Sequence, residues 1–145
     1  MATETAVRRA AYGKMAGDGT LTGLLGPPAT GFSQSIYHEE APPNAGYPFI
    51  VFHKQAGTPT YTFKQGSSAF ETDVWLIKAV DRNTSADAAE AVASRLRALL
   101  TDGALTISGA TQMYLRRDSD IPSYQEVRDG VQYRHVGSLW RLIFQ

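Results

Sequence analysis

One amphipathic helix between two groups of strands is the feature that most constrains the fold of this chain. Residues 85 to 101 carry an apolar stripe at helical spacing. The stripe recurs at i, i+3, i+7 and i+10: Ala89, Val92, Leu96 and Leu99. Thr84 or Ser85 supplies an N-cap, and Gly103 follows the last turn, so both ends of the helix are marked. A helix with one apolar stripe can cover one face of a sheet.

Segments with strand patterns lie on both sides of this helix. The clearest is the continuous apolar run of residues 49 to 53, which predicts a buried strand. Residues 69 to 80 and 131 to 144 predict long strands, and residues 111 to 117 alternate as an exposed strand does. Gly137 is expected to mark a bulge or a bend in the last strand.

A second helix is predicted near the start of the chain, over residues 3 to 16. Thr3 can cap it, and one thin, Ala-rich face that suits close packing against a flat partner is formed by Val7, Ala10, Ala11 and Met15. The order of elements predicts an α+β fold. It consists of one mainly antiparallel sheet packed by the central helix, with an additional N-terminal helix, in a single domain over residues 1–145.

Composition argues against several classes of protein. The 145-residue chain has no Cys, which excludes disulfides, thiol nucleophiles and Cys-based zinc sites. Its 14 basic residues balance 14 acidic ones, whereas proteins that grip DNA phosphates usually carry a basic excess. No apolar run approaches the roughly 18 residues that span a membrane, so no membrane partner is expected.

The sequence contains no recognisable catalytic, cofactor-binding or metal-binding set of residues. His38, His53 and His135 do not pair at metal-ligand spacing, and strand-surface histidines held by hydrogen bonds are the ordinary interpretation. The acidic run 118–120 lacks the further ligands, the Gly and the Glu of a calcium loop. No nucleophile elbow, phosphate-binding loop or dinucleotide fingerprint is present. We therefore expect no enzyme and no cofactor.

Aromatic and basic residues alternate in two strands. Tyr114 and Tyr133 can interleave with Arg116 and Arg134, as stacking platforms for single-stranded nucleic acid do. The same pattern also arises as a cross-strand ladder on a solvated sheet face, and the balanced charge favours that interpretation.

Several segments occur in a familiar order. They are Ile36-Tyr37-His38, Ala41-Pro42, Tyr47-Pro48-Phe49-Ile50-Val51-Phe52, Lys78-Ala79-Val80-Asp81, Tyr114-Leu115-Arg116-Arg117-Asp118-Ser119-Asp120 and Gly130-Val131-Gln132-Tyr133-Arg134-His135-Val136-Gly137. In order, spacing and total length the chain resembles the tail-completion, or tail-terminator, family of long-tailed phages and phage-like particles. The resemblance covers about residues 5 to 144.

The resemblance implies a structural virion protein and no catalysis. Such subunits form a ring, typically a hexamer, that caps the tail tube and joins it to the head-side connector. The implied partners are further copies of the chain, the major tail tube protein and the head–tail connector or stopper protein. The implied location is the head-proximal end of the tail, after synthesis in the host cytoplasm. DNA passes through such a ring without specific binding, which suits a neutral chain.

Two sets of residues are predicted to make these contacts. Candidate subunit contacts lie on the first helix and on exposed strand edges: Val7, Ala10, Ala11, Lys14, Arg116 and Arg134. Candidate docking loops for the tube and the connector are residues 54 to 69, expected to form a projecting hairpin, and residues 118 to 130, expected to form a second projection. Their polar members are Lys54, Gln55, Lys64, Gln65, Asp118 and Asp120.

Three alternatives remain open from the sequence. Another head–tail neck component, a connector or a stopper, shares the same class of function. A small ligand-binding domain or enzyme would need a pocket with converging polar groups, which no spacing predicts. A nucleic-acid binder is disfavoured by the zero net charge.

Overall fold

A computed structural model describes residues 3–61, 68–83 and 85–145 of the chain. Three helices and six strands occur in this part. In chain order they are α1 Glu4–Ala16, α2 Gly19–Gly23, β1 Ile36–His38, β2 Phe49–Tyr61, β3 Ser68–Asp81, α3 Asp87–Leu100, β4 Gln112–Asp120, β5 Tyr124–Arg128 and β6 Val131–Phe144.

The six strands form one sheet in the order β1-β2-β3-β6-β4. Strand β5 pairs with β6 on the same edge as β4, beyond the point where β4 ends. Only the short β1–β2 pair is parallel, and the other pairs are antiparallel. The predicted α+β fold with one mainly antiparallel sheet is therefore confirmed.

Both longer helices pack on the same face of the sheet. Helix α1 starts where predicted, since the Thr3 hydroxyl accepts a hydrogen bond from the Ala6 amide. Helix α3 starts two residues later than predicted, after Ala86, and the Ser85 hydroxyl accepts from the amide of Asp87. Thr84 lies outside the described residues. The helices bury one stripe each: Val7, Ala11 and Met15 in α1, and Ala89, Val92, Ala93, Leu96 and Leu100 in α3.

The main core forms between these stripes and the inner strands. Trp75 in β3 and Trp140 in β6 are opposite each other in register and both are buried in it. Helix α3 is also tied to the start of α2, because Arg95 of α3 donates two hydrogen bonds, of 2.7 and 2.8 Å, to the carboxylate of Asp18. Asp18 itself caps α2 through the Leu21 amide.

A second, smaller core lies on the opposite face of the sheet. Segment 26–48 folds over the ends of β2 and β3 and covers Phe49, Val51 and Val80. Tyr37 anchors this segment, since its hydroxyl accepts from the Ala29 amide and its ring packs edge-on against Phe49. The covering segment reaches only one half of this face.

Residues 54–61 continue β2 and pair with β3 as far as Tyr61, so the described residues of the segment 54 to 69 form the arms of a hairpin, as predicted. Two other predictions about strands need correction. Residues 118–120 belong to β4, and the predicted loop also contains β5. Gly137 makes no bulge with β3; a side chain there would meet the Ile77 carbonyl oxygen at 2.5 Å, so the residue allows close approach.

Candidate assembly surfaces

The centre of the predicted contact face of α1 is buried in the protein's own core. Val7 is 1% exposed and Ala11 is 7% exposed, so neither is available to a neighbouring subunit in this structure. The reason is geometric: small side chains let α1 approach the sheet closely, and the sheet is the nearest flat apolar partner. Ala10 and Lys14 are half-buried at the margin of that contact.

A groove runs beside α1 on its remaining side, with a volume of about 820 Å³. Its second wall is the segment 104–108, and small side chains dominate both walls. Ala10 lies in the groove, while Arg9 and Lys14 provide its basic groups. The groove has room for the subunit contacts predicted at Ala10 and Lys14, and these contacts stay predictions.

The base of the β2–β3 hairpin holds two of the predicted docking residues. Lys54 extends across to β3, where its Nζ lies 3.3 Å from Oδ1 of Asp73. The Asp73 side chain is 1% exposed, and the Trp75 indole N–H donates to its other oxygen at 3.4 Å. Gln55 falls where the register shifts between Lys54 and Ala56. Lys54 is thus part of an internal ion pair, while Lys64 and Gln65 lie outside the described residues.

Strand β4 carries the other predicted docking residues, and both take part in contacts within the chain. Oδ1 of Asp118 lies 2.8 Å from NH2 of Arg141 on β6. Asp120 accepts hydrogen bonds from the Ser138 hydroxyl at 2.6 Å and from Arg117 at 3.3 Å. The hydrogen bond from Ser138 is the main cause that lowers the pKa of Asp120. These carboxylates therefore hold β4 against β6 at the edge of the sheet.

The two predicted aromatic and basic pairs lie apart in the structure. Arg116 stacks over Tyr114 with its guanidinium carbon 5.7 Å from the ring centre, and its Nε donates to Asp102 at 2.9 Å. Tyr133 instead packs against Tyr47, at 5.9 Å between ring centres. Arg134 is half-buried in β6. This separation favours a cross-strand ladder of aromatic and Arg side chains over a continuous stacking platform for nucleic-acid bases.

A further groove of about 510 Å³ separates segment 39–47 from β5 and β6. His135 is its most enclosed polar residue, stacked on Tyr124 at 4.3 Å with Nε2 lying 3.1 Å from Oε2 of Glu126. Burial is the main cause that lowers the pKa of His135, and nearby Lys78 acts in the same direction. The pKa of Glu126 is also lowered, first by its hydrogen bond from Arg128 and then by that from His135.

Four aliphatic side chains, three half-buried and one buried, occupy the half of the sheet face that segment 26–48 does not cover. We call it the open half, and its members lie on neighbouring positions of β3 and β6: Val74, Leu76, Leu139 and Ile143. None of the four belongs to either hydrophobic core formed by the described residues. The paired charges of Arg141 with Asp118 and of Arg116 with Asp102 lie alongside.

Within residues 3–61, 68–83 and 85–145, no three His, Cys, Asp or Glu side chains come together as a metal ion would require. In the same part of the chain, no helix has the length and apolar character needed to cross a membrane.

Comparison with known proteins gives a likeness in fold. No protein-family model matches the sequence, and no curated protein matches it. One similar solved structure is a chain described as "Virion of native gene transfer agent (GTA) particle", with a TM-score of 0.71 and 15% identity, covering 97% of this chain and 96% of that chain. A second solved structure has a TM-score of 0.59 and 13% identity, with coverage of 97% and 95%. This chain shares the fold of both over nearly its whole length.

Sequence reasoning missed two of these features, β5 and the open half. Strand β5 is exposed on both sides, and its residues Tyr124–Arg128 mix polar and apolar types without a one-sided pattern. The open half had a signal, because Val74 and Leu76 alternate with Trp75 and Ile77 in an apolar run that predicts cover on both faces. That run did not indicate that the cover on one face stops halfway.

Proposed function

We propose that this chain is a structural protein of a phage-like virion, and that its copies form the ring that caps the tail tube and joins it to the head-side connector. The observation that carries the proposal is the likeness to a chain of the gene transfer agent virion, which extends over 97% of one chain and 96% of the other. Agreement over the full length of both chains supports an equivalent unit in a related particle.

The arrangement of surfaces supports a ring. Copies that join head to tail and close a cycle must present two unlike surfaces. The groove beside α1 lies on the helix-covered side of the sheet, and the open half lies on the other side. A chain with these two surfaces can contact one neighbour on each side.

Charge supports passage of DNA without retention. The net charge is zero, and several guanidinium groups are engaged with carboxylates of the same chain. These pairs are Arg95 with Asp18, Arg116 with Asp102, Arg128 with Glu126 and Arg141 with Asp118. Cations that are already paired gain less by binding phosphate, so a ring of this protein would release DNA readily.

The proposed partners follow from this place in the particle. One axial side of the ring would meet the major tail tube protein, and the other would meet the connector or stopper of the head. The protein would act without catalysis or a cofactor, with hexamers as the expected assembly.

Deleting the gene in a particle-producing strain tests the proposal directly. Electron microscopy should reveal full heads and unattached tails, with tail tubes of uneven length because their ends lack a cap. A plasmid copy of the wild-type gene is the control and should restore joined particles. Unattached tails of uniform, normal length would instead favour a connector or a stopper. Joined, infectious particles in the deletion strain would refute a role in the neck.

A further inference from the structure

The groove between segment 39–47 and strands β5 and β6 contains a lysine that has no carboxylate partner. Lys78 of β3 lines this groove, and its Nζ lies 3.4 Å from the hydroxyl of Tyr124 and 5.9 Å from the centre of that ring. None of the ion pairs within the described part of the chain includes Lys78. A half-buried ammonium whose partner is neutral gains a stronger, charge-assisted hydrogen bond when an anionic oxygen reaches it.

Gly137 makes room for the position of Lys78. The two residues are opposite each other in the β3–β6 pair, and a Cβ on Gly137 would lie 2.5 Å from the Cβ of Lys78. Because no side chain stands at residue 137, the stem of Lys78 can cross β6 and reach Tyr124 on β5. The backbone on this side of the groove therefore accommodates the lysine.

Two histidines flank Lys78 on the same face of the sheet. The register partners of Lys78 are Val51 on β2 and Gly137 on β6. His53 and His135 lie two residues from these partners, so both are diagonal neighbours of Lys78, at about 7–8 Å between backbones. Both histidines line the groove with Lys78. The groove thus has three nitrogen-bearing side chains close together on its sheet side.

Each of the two imidazoles has one nitrogen without a partner. The Nδ1 atoms of His53 and His135 are buried, and within the described residues neither has a hydrogen-bond partner. The amide nitrogen of Gln55 donates to Nε2 of His53 at 3.1 Å, so the proton of neutral His53 lies on Nδ1. His135, which is 7% exposed, uses its Nε2 for Glu126 at 3.1 Å. A buried polar nitrogen left unpaired costs free energy, which an oxygen of a ligand would recover.

The rest of the groove selects the kind of anion. Glu39 and Glu40 are exposed at its rim, and Glu126 is paired with Arg128 at 2.6 Å. These three carboxylates repel a polyanion such as DNA, whereas a single negative charge that reaches Lys78 is opposed less strongly.

An aromatic wall stands beside these polar groups. The ring of Tyr47 lies 5.1 Å from that of Phe49 and 5.9 Å from that of Tyr133, measured between ring centres. Ligand sites typically combine such an apolar wall with a few converging polar groups in roughly 300–1,000 Å³, and this groove has about 510 Å³. The wall suits an apolar or aromatic group attached to the anion.

We propose that this groove binds one carboxylate group carried on an apolar or aromatic group, with Lys78 as the charged contact and His53 and His135 as hydrogen-bond donors. His53 donates from Nδ1 in its neutral form. His135 donates from Nδ1 once it is protonated, so binding is accompanied by uptake of a proton. A free carboxylic acid and an acidic side chain of a partner protein offer the same chemistry. The site does not depend on the proposed ring.

Titration of the ¹⁵N-labelled protein with benzoate, followed by NMR, tests the site. We expect shifts of the amides around residues 53, 78 and 135, with a dissociation constant on the order of 1 mM. Benzamide, which has the same ring without the charge, should bind at least about tenfold more weakly. Equal binding of the two compounds, or no benzoate binding up to about 50 mM, would overturn the proposal. This comparison uses the wild-type protein, so it needs no variant to fold.

Substitutions assign the charged contact. Lys78→Met keeps the stem and removes the charge, and it should weaken benzoate binding at least about tenfold, whereas Lys78→Arg should stay within about threefold of wild type. Arg8→Met removes one positive charge from α1, which packs on the other face of the sheet, and should change the affinity less than about twofold. The amide spectrum reports whether each variant is folded. Unchanged benzoate affinity in a folded Lys78→Met protein would contradict the assignment.

The dependence on pH tests the role of His135. The titratable and charged groups that share the groove with it are Lys78 from β3, His53 from β2, Tyr124, Glu126 and Arg128 from β5, Tyr133 from β6, and Glu39, Glu40 and Tyr47 from segment 39–47. Of these side-chain types, only histidine ordinarily titrates between about pH 5.5 and pH 7.5. Benzoate should therefore bind at least about threefold more tightly at pH 5.5 than at pH 7.5, and His135→Gln should remove most of this difference. An equal pH dependence in His135→Gln would refute its role as a donor.

A second probe identifies the source of the carboxylate. The capped tripeptide acetyl-alanyl-glutamyl-phenylalaninamide presents an acidic side chain next to an aromatic one, as a partner protein would. Binding of this peptide at least about tenfold more tightly than benzoate would assign the groove to a protein partner, and tighter binding of benzoate would assign it to a free carboxylic acid. Failure of both probes to bind would overturn the site and leave the proposed function standing, whereas joined particles in the deletion strain would do the reverse.

Discussion

The ion pair between Lys54 and Asp73 offers a quantitative test of how the β2–β3 hairpin is held. With the Asp73 side chain 1% exposed and Nζ 3.3 Å from Oδ1, the gross attraction is about 5 kcal/mol at an effective dielectric constant of about 20. Desolvation of the carboxylate offsets most of that. Lys54→Met removes the attraction but leaves the buried charge in place. Because a quarter of Lys54 is exposed, we expect a loss of about 2–3 kcal/mol, below the usual value for a fully buried pair.

Asp73→Asn is the matched variant. It keeps the shape of the side chain and an oxygen that can accept from the Trp75 indole, and it frees Lys54 to reach water, so we expect a loss of only about 1 kcal/mol. The double variant should be less destabilised than the sum of the two single variants by about 1–2 kcal/mol. Urea unfolding followed by Trp fluorescence gives all four stabilities. The reasoning is wrong if Lys54→Met loses less than about 0.5 kcal/mol or if the two substitutions are additive.

Three further predictions concern the glycines and the titrating groups. Gly137→Ala should destabilise the protein by about 1–3 kcal/mol, because the Ile77 carbonyl leaves no room for a side chain. Gly13→Ala, in the open part of α1, should instead stabilise it by about 0.5–1 kcal/mol, and thermal unfolding of both variants measures the two effects. The pKa of Asp18 is lowered, chiefly by its hydrogen bonds from Arg95, so the ionised carboxylate adds folding stability above pH 3.8, and this stability is lost as pH falls through the lowered pKa. Asp18→Asn should remove this loss when urea unfolding at about pH 5 is compared with urea unfolding at about pH 3. The pKa of His135 is lowered below 6.5 by burial, so the folding stability should fall as pH drops below 6.5 towards that lower pKa. His135→Gln should flatten the dependence of stability on pH, and an unchanged dependence in this variant would contradict the prediction.

The parts of the fold that were predictable are those whose pattern is imposed by burial within the chain. Helix α3 must place one stripe on the sheet, so its spacing of Ala89, Val92 and Leu96 follows from 3.6 residues per turn. Trp140 alternates with exposed Arg141 in β6 for the same kind of reason. Periodicity of this type is visible without knowledge of the partner surface.

The outer strands were not predictable in the same way. Residues 118–120 of β4 are exposed and charged, because the edge of a sheet is protected from unwanted pairing by charged side chains. A sequence rich in Asp at such an edge has the composition of a loop. The pairing that makes it a strand comes from β6, about twenty residues later in the chain.

The candidate contact residues were limited by a different ambiguity. An Ala-rich stripe such as that of Val7 and Ala11 predicts close packing against something flat, but it does not say whether the flat surface belongs to the same chain. Here the chain's own sheet takes that place. Lys54 is ambiguous in a similar way, since a lysine in a polar segment reads as solvated until its carboxylate partner, Asp73, is placed beside it.

Strand β6 sets the order in which the molecule can fold. It pairs along one edge with β3 and along the other with β4 and then β5, so it occupies the middle of the sheet although it is the last of the described strands in chain order. Until a ribosome has released residues 131–144, β3 and β4 have no partner between them. Contacts between such distant segments slow folding, and they leave strand edges exposed while the chain waits. That delay makes the newly made chain the form most exposed to premature association.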